Sequence, residues 1–393
     1  MSSDIRASVV ILSRHHPEML LACLDSIEKN VSSDLNYEII LLLNGADPEI
    51  THATADLGER VRVITSNVNL GFPGGCNRAS EFARGDYLVF LNDDTIVYRG
   101  WLESLVETAD RIPEAGAVGS LVFNPDSTIQ EAGAIVWSDG VTSSIDSGRD
   151  IESAQYYFLR DADYCSACSI LVRHSTWHLV GGMDEEYFPG YYEDVDLCFK
   201  IQQAGQRVIF DPGSALMHFR SASTESDYKM FLVQKHIGTL RQKWAALIAT
   251  HEDREPDSPI SIDSAIQRAR GYPTKVIAVG LRPEDLQSLP KEPRGLALSV
   301  SVSGATGDDR IRAGRLGINL IWEEPDRHLS RPGINYDYAI VADQAISQHL
   351  SKLQGNAESP MDVIALPEHA PVDRSQVLSQ LLNSLQAQSK AGI

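Results

Sequence analysis

The run Tyr87-Leu88-Val89-Phe90-Leu91-Asn92-Asp93-Asp94-Thr95 decides how the chain is read. Five apolar residues in succession, without alternation, predict a strand buried on both faces, as in a parallel sheet. The strand ends in an amide and two acids. Ligands of open α/β sheets bind beyond the carboxyl ends of the strands. Acids placed there are hard oxygen ligands suited to Mg²⁺ or Mn²⁺, with substrate phosphates completing the shell. A solvated turn is the alternative, because Asp and Asn are common in turns.

Toward the N-terminus, Ser8 to Leu12 predicts a buried strand, and Ser13-Arg14-His15-His16 a loop. Pro17 opens a helix striped by Leu20, Leu24 and Ile27. Glu38 to Leu43 and Val61 to Ile64 are further strands, the former ending in Asn44-Gly45. This strand–helix–strand rhythm predicts a sheet with helices on its faces. Asn69-Leu70-Gly71-Phe72-Pro73-Gly74-Gly75-Cys76-Asn77 follows, read as a glycine-rich loop leading into a helix. Such a loop suits phosphate, although no Walker lysine is present. A tight structural turn is the other reading.

Toward the C-terminus, Trp101, Leu102, Leu105 and Ala109 stripe a helix, and Val118 to Val122 form a strand. Residues 124 to 163 read as an irregular substrate-side insert, with Ile135-Val136-Trp137 in a hairpin. Cys168 to Val172, Val208 to Phe210 and Ala215 to Met217 are strands, and His218 ends the last. A histidine there is either structural or a ligand. Between these strands, Phe188-Pro189-Gly190-Tyr191-Tyr192-Glu193-Asp194-Val195-Asp196-Leu197 is an aromatic loop entering a helix with three acids in its first turn. Helical spacing predicts that Asp194 shares the inward face of Leu197, Cys198 and Ile201, and that Asp196 sits off it, paired with Lys200. A carboxylate turned inward is costly unless something uses it. The plainer reading is that the acids favour the positive end of the helix.

The chain has 393 residues, which predicts two or three domains. A formal charge of −20 excludes a general nucleic-acid binder, which needs a basic footprint. Five scattered cysteines are not a disulfide framework, and Cys165-Ser-Ala-Cys168 lacks a second pair for zinc. No signal-like segment and no run of about 20 apolar residues is present, so the cytoplasm is the expected compartment. From Ile248 the composition turns polar and Pro-containing. Residues 248–270 read as a linker and 271–393 as a second, smaller α/β domain. Its strands are expected at Val276 to Val279, Leu296 to Val300, Ile318 to Ile321, Tyr338 to Val341 and Val363 to Ala365, with Asp343 to Leu353 helical. A final stripe, Val377, Leu378, Leu381, Leu382 and Leu385, is expected to dock on its own domain.

Taken together these motifs resemble the family 2 glycosyltransferases of bacterial surface polysaccharide synthesis. The resemblance covers about residues 5 to 245. It rests on Ser13-Arg14-His15, Asn69 to Asn77, Asn92-Asp93-Asp94, Gly181-Gly182-Met183-Asp184-Glu185, Glu193 to Leu197 and His218. It implies a GT-A fold over residues 1–247, a Rossmann-like mostly parallel mixed sheet with helices on both faces. It also implies inverting, metal-dependent transfer of a hexose or deoxyhexose. The donor would be a nucleoside-diphosphate sugar and the acceptor a saccharide or lipid-linked saccharide, met at the inner face of the membrane. On this resemblance Asp194 is the general base with Glu193 beside it, and Asp94 and His218 hold Mn²⁺ or Mg²⁺. Ser13, Arg14, Asn44, Asn69, Gly71, Gly74, Asn77, Asn92, Asp93 and Arg220 line the donor. Trp137, Tyr191 and Tyr192 line the acceptor. Two departures stand out. Leu43 occupies the position where relatives place a base-contacting Asp, and Asn92 replaces the first acid of the family's DxD. A catalytically silent glycan- or nucleotide-binding module and a nucleotidyltransferase are the competing classes.

Overall fold

The computed structural model describes residues 5–220 apart from positions 56, 59, 152 and 155, then 226–254, and beyond those five strands with isolated neighbouring positions. The chain forms two compact units, residues 1–151 with 161–254, and residues 152–160 with 255–393. The insert thus lends 152–160 to the second unit, which a linear division of the chain does not anticipate.

The first unit begins β1 (Ala7–Ser13), α1 (Pro17–Asn30), β2 (Tyr37–Asn44), α2 (Pro48–Ala53), β3 (Val61–Ser66), α3 (Gly71–Ser80), β4 (Tyr87–Asn92) and β5 (Thr95–Val97). It continues α4 (Trp101–Arg111), β6 (Ala115–Phe123), β7 (Ile129–Glu131), β8 (Ala134–Val136), β9 (Thr142–Ser144), β10 (Arg160–Asp161), β11 (Ser169–Arg173), α5 (His174–Val180), α6 (Glu193–Gln203), β12 (Arg207–His218) and α7 (Ser226–Ile248). The main sheet runs β10-β12-β6-β11-β4-β1-β2-β3. It is parallel through β4-β1-β2-β3 and antiparallel where β11 separates β4 from β6. The apolar runs explain the centre: Val9, Val10, Ile11, Leu88, Val89, Phe90 and Leu91 are each at most 1% exposed. A strand covered on both faces has no use for alternation.

Two readings from sequence change. First, the glycine-rich stretch is not a loop. Gly71–Ser80 is α3 itself, and Gly74 and Gly75 lie inside it. A Cβ on Gly75 would lie 2.3 Å from Leu12 Cδ2. Glycine there lets the helix approach β1 more closely than any side chain allows, which overrides its poor helix propensity. Second, the two predicted strands Val208 to Phe210 and Ala215 to Met217 are one strand, β12, with an irregularity between Asp211 and Ala215. Buried Asp211 holds this bulge, accepting from Gly213 N (2.7 Å), Ser104 Oγ (2.8 Å) and Thr108 Oγ1 (2.9 Å). Beyond the bulge β12 pairs antiparallel with β5, so that His218 stands opposite Thr95. A bulge re-aims the residues that follow it. Here it delivers His218 to the acids at the end of β4.

The second unit contains five parallel strands, β13 (Thr274–Leu281), β14 (Leu296–Val302), β15 (Asn319–Ile321), β16 (Tyr338–Val341) and β17 (Asp362–Ala365). Their order is β15-β14-β13-β16-β17, an arrangement common to doubly wound folds. Leu378, Leu382 and Leu385 pack with Val276, Leu298 and Ile340 on one face, so the terminal stripe docks on its own unit. The expected helix Asp343 to Leu353 and much of the expected linker lie outside the described residues. Among the described residues no helix is long and apolar enough to cross a membrane.

Candidate active site

Two walls of the first unit carry the acids. The first wall is the carboxyl edge of β1, β4 and β12. Ser13 Oγ donates to Asp93 Oδ2 at 2.6 Å. Burial, with the neighbouring charge of Asp94, pushes the Asp93 carboxyl up to about 6 despite that bond. Asp94 Oδ1 lies 3.2 Å from His218 Nε2, and Phe219 N donates to the Asp94 carbonyl at 3.0 Å.

The tautomer of His218 follows from its other neighbour. Gln130 Nε2 is committed to two oxygens, Asn124 Oδ1 at 3.0 Å and the His218 carbonyl at 3.2 Å. Gln130 Oε1 therefore faces His218 Nδ1 at 2.7 Å and accepts its proton. That leaves the Nε2 lone pair, 3.3 Å from Asn92 Nδ2, turned toward an Asp94 oxygen. Two acceptors 3.2 Å apart suit a shared cation. Neighbouring ligands of an octahedral ion at about 2.1 Å are themselves about 3 Å apart. The pair therefore fits a divalent metal. Described residues contain no cluster of three or more His, Cys, Asp or Glu placed for one, so the other ligands would be phosphate oxygens and water, the usual Mg²⁺ arrangement.

The second wall is the start of α6. Asp194 Oδ1 accepts from Val195 N at 2.9 Å and Oδ2 from Ala167 N at 3.3 Å. Glu193 is 6% exposed, and its Oε2 is buried without a hydrogen-bond partner. Burial, reinforced by the charge of Asp194, raises Glu193 well above the usual carboxylate range. Burial raises Asp194 too, but the two backbone N–H groups oppose it. Adjacent carboxyls do not ionise together readily. Burial and the neighbouring charge favour the proton on Glu193, whose Oε2 has no donor, and the backbone donors favour the charge on Asp194, at the positive end of a helix.

The two walls meet at the loop 166–168, where Ala167 N donates to Asp194 and the Cys168 carbonyl accepts from Asn92 N at 3.0 Å. The buried Cys168 thiol is raised by burial first, then by the charges of Glu131, Asp94 and Asp194. Carboxylates from β7 and α6 thus both accept from one short loop that also pairs with the end of β4. Ser166 N donates to Glu131 Oε1 at 2.8 Å, and Ala167 N to Asp194. Glu131 and Gln130 were missed in the sequence because Ile129-Gln130-Glu131 sits in a stretch without periodicity.

Several expected ligands serve the fold instead. Asn44 Oδ1 accepts from Leu70 N, and its Nδ2 donates to the Gly71 carbonyl at 2.9 Å. Asn69 Oδ1 accepts from Gly71 N at 2.9 Å, and Phe72 N donates to the Pro189 carbonyl at 2.7 Å. The N–H groups that would have cradled phosphate are therefore occupied by protein atoms. Asn77 clamps the following turn, bonding both the N–H and the carbonyl of Met183 and also Glu185. Gly74 faces the Glu185 carboxyl. Trp137, expected on the acceptor side, is fully buried with its indole N–H on Ser143 Oγ at 2.8 Å. Tyr192 is also buried. Tyr191 is half-buried, and both tyrosines hold positive φ, 75° and 76°. Such backbone persists only where the surroundings impose it; here His236 Nδ1 of α7 bonds the Tyr191 carbonyl at 2.9 Å. Arg14 and Arg220 are exposed.

Asp196 corrects the helical wheel. It is fully buried, facing α7. Trp244 Nε1 donates to its Oδ1 at 2.7 Å, and Lys243 Nζ lies 2.8 Å from the same atom. Lys200 reaches its other oxygen at 3.5 Å. The 23-residue α7, with these partners, is absent from the expectations drawn from sequence.

The family described as Glycosyl transferase family 2 matches residues 8–179. The chain is 27% identical to the O-antigen biosynthesis protein RfbC of Myxococcus xanthus over 56% of its own length, but spans only 18% of that protein. It is 26% identical to the N-acetylglucosaminyl-diphospho-decaprenol L-rhamnosyltransferase of Mycobacterium tuberculosis (strain CDC 1551 / Oshkosh), over 57% of this chain and 78% of the relative. Among solved structures it resembles GalNAc-T7 with UDP, GalNAc and Mn²⁺, with a TM-score of 0.51 and 15% identity, covering 68% of this chain and 55% of that one. Sheet order and structural likeness agree on the GT-A fold, and residues 8–179 within it match family 2 of the glycosyltransferases.

Proposed function

We propose that the first unit transfers a sugar, with inversion, from a nucleoside-diphosphate sugar to a saccharide or lipid-linked saccharide of a surface polysaccharide. The observation that carries this is the loop 166–168, where Ala167 N donates to Asp194 Oδ2 and the Cys168 carbonyl accepts from Asn92 N, two residues before Asp94. One-step inversion needs a base on one side of the anomeric carbon and leaving-group stabilisation on the other. Asp194 takes the acceptor hydroxyl's proton as the new bond forms. Asp94 and His218 would hold Mn²⁺ or Mg²⁺, which when bound would supply Lewis-acid neutralisation of the departing diphosphate. Ser13, by its bond to Asp93, fixes the edge of that wall. Arg14, next to Ser13, and Arg220, two residues past His218, are exposed cations offered to the diphosphate. A deoxyhexose donor is supported by the relative named as an L-rhamnosyltransferase. Five buried free cysteines fit a reducing cytoplasm, where sugar nucleotides are met.

The test is nucleoside diphosphate release from a panel of sugar nucleotides with Mn²⁺. Release with one donor, lost on adding EDTA and restored by Mn²⁺, is expected. Release of pyrophosphate would assign the site to nucleotidyl transfer, and no turnover with any donor would leave a binding module.

Gln130 gives a separate readout. Gln130→Leu removes the acceptor at His218 Nδ1, freeing the ring to rotate or change tautomer. Loss of such an outer partner costs about 10–100-fold in metal affinity. Mn²⁺ titration followed by electron paramagnetic resonance should show that weakening. Unchanged affinity would remove Gln130 as the group that orients His218.

A further inference from the structure

The first turns of α7 are exposed on every side: positions 227 to 231 all face solvent. An unpacked turn of a soluble helix is normally polar. This one presents Tyr228 (50% exposed), Met230 (68%) and Phe231 (61%). The Tyr228 and Phe231 rings stack with centroids 6.2 Å apart, forming one apolar knob. Cations accompany it. Lys229 Nζ sits 5.4 Å over the Tyr191 ring, and Lys235 is exposed one turn further on. Across 226–243 the helix carries Lys229, Lys235, Arg241 and Lys243 against Asp227 alone, in a chain of net charge −20. Arg241 is spent on the Asp139 carbonyl and Lys243 on Asp184 and Asp196, which leaves Lys229 and Lys235 at the knob.

Aromatic rings and a flexible thioether flanked by two lysines, against the single acid Asp227, are chemistry suited to the headgroup level of an anionic bilayer. Its position also matters. The inner face of α7 holds Tyr191 through His236, and Tyr191 lies three residues from Asp194. Whatever holds the knob therefore holds α7, which bonds the Tyr191 carbonyl three residues before the proposed base. We infer that the exposed turn of α7 around Tyr228, Met230 and Phe231 is a membrane-docking surface for anionic phospholipid, which brings Tyr191 and the start of α6 to the bilayer. The inference deepens the proposed reaction and rests on it for the lipid-linked acceptor; the surface itself rests on exposure and charge.

The test uses the full chain and sedimentation with vesicles of phosphatidylcholine alone or mixed with phosphatidylglycerol. Binding is expected only to the mixed vesicles, weakening as salt rises. The double variant Tyr228→Ser/Phe231→Ser should bind at least about tenfold more weakly, while its melting temperature and donor hydrolysis match the wild type. Lys235→Glu should weaken binding less, and chiefly at low salt. No wild-type binding to the mixed vesicles, or equal binding by the double variant, would overturn the inference. So would light scattering that shows the double variant turning a dimer into a monomer with vesicle binding intact, because the knob would then cover a second copy. Vesicle binding without turnover of any donor would leave the surface standing and remove the reaction. Turnover without vesicle binding would do the reverse.

Discussion

Asp194→Asn is expected to lower kcat by about 10²–10⁴ while leaving donor affinity unchanged, whereas Glu193→Gln stays within about tenfold of wild type. The contrast follows from how the adjacent carboxyls are housed. Asp194 has two backbone donors and the start of α6 to support a charge. Glu193 has a buried oxygen without a partner and is held protonated by burial and by Asp194. A neutral glutamine copies the protonated acid in shape and charge; a neutral asparagine cannot copy the base. The pH dependence carries the same distinction. Asp194 must be deprotonated to act, and burial raises it, so activity falls on acidification at a pH above the ordinary carboxylate value. Stability has its own sign. Folding raises the proton affinity of Glu193, so its contribution is full below the unfolded pKa and is lost as pH rises through the folded one. Glutamine never ionises and escapes that loss, so Glu193→Gln should melt no lower than wild type at alkaline pH. Isothermal titration with the donor, steady-state kinetics and melting curves across pH check all three. Comparable kinetic losses in both variants would end the division of roles.

The fold was legible where one physical rule dominates. Runs such as Val9 to Leu12 and Leu88 to Leu91 have no alternation because both faces are covered, and each became a strand. The acids at strand ends were legible for the same reason, since a strand that stops at a charge stops at an edge. What failed was whatever depends on a distant partner. Gly71 to Gly75 read as a loop because glycine is a poor helix former; only the approach to Leu12 explains its place in a helix. Asn44, Asn69 and Asn77 were expected on the donor because the family resemblance implies it; their donors and acceptors tie α3 and its neighbouring turns together. Asp196 was placed on the outer face because its wheel was drawn against the sheet alone. The stripe of α7 is weak, since its first turns expose Tyr228, Met230 and Phe231 rather than bury them. Nothing local announces that Lys243 and Trp244 close over an acid 47 or more residues earlier.

That closure sets the second large effect. Asp196→Ala should destabilise the first unit by about 3–5 kcal/mol, the cost of removing one partner from a buried ionic network. The carboxylate is fully enclosed and receives Trp244 Nε1, Lys243 and Lys200, with Tyr187 Oη 3.5 Å away. Burial lowers the Lys200 proton affinity. For Lys243, burial pulls downward, but the bonds to Asp184 and Asp196 outweigh it and leave the net shift upward. Deleting Asp196 removes the ion pair of the partly buried Lys200, leaving it the Gly182 carbonyl, and leaves the buried indole N–H without an acceptor, each a separate penalty. Asp196→Asn keeps an acceptor for Trp244 and should cost less, with the difference reporting the charge. Lys243→Met leaves Trp244 and Lys200 on the acid and should also cost less. If pairing is the cause, the double variant Asp196→Ala/Lys243→Met should recover part of the loss, so the single effects should not add. The functional consequence follows from the helix. Asp196 lies two residues beyond Asp194 in the first turn of α6, and α7 holds that turn in place from behind. A loosened turn misplaces the base without touching the donor wall, so kcat should fall with donor affinity kept. Chemical denaturation and kinetics on the same preparations decide it: a cost below about 1 kcal/mol, with additive single effects, would reduce the network to an incidental contact.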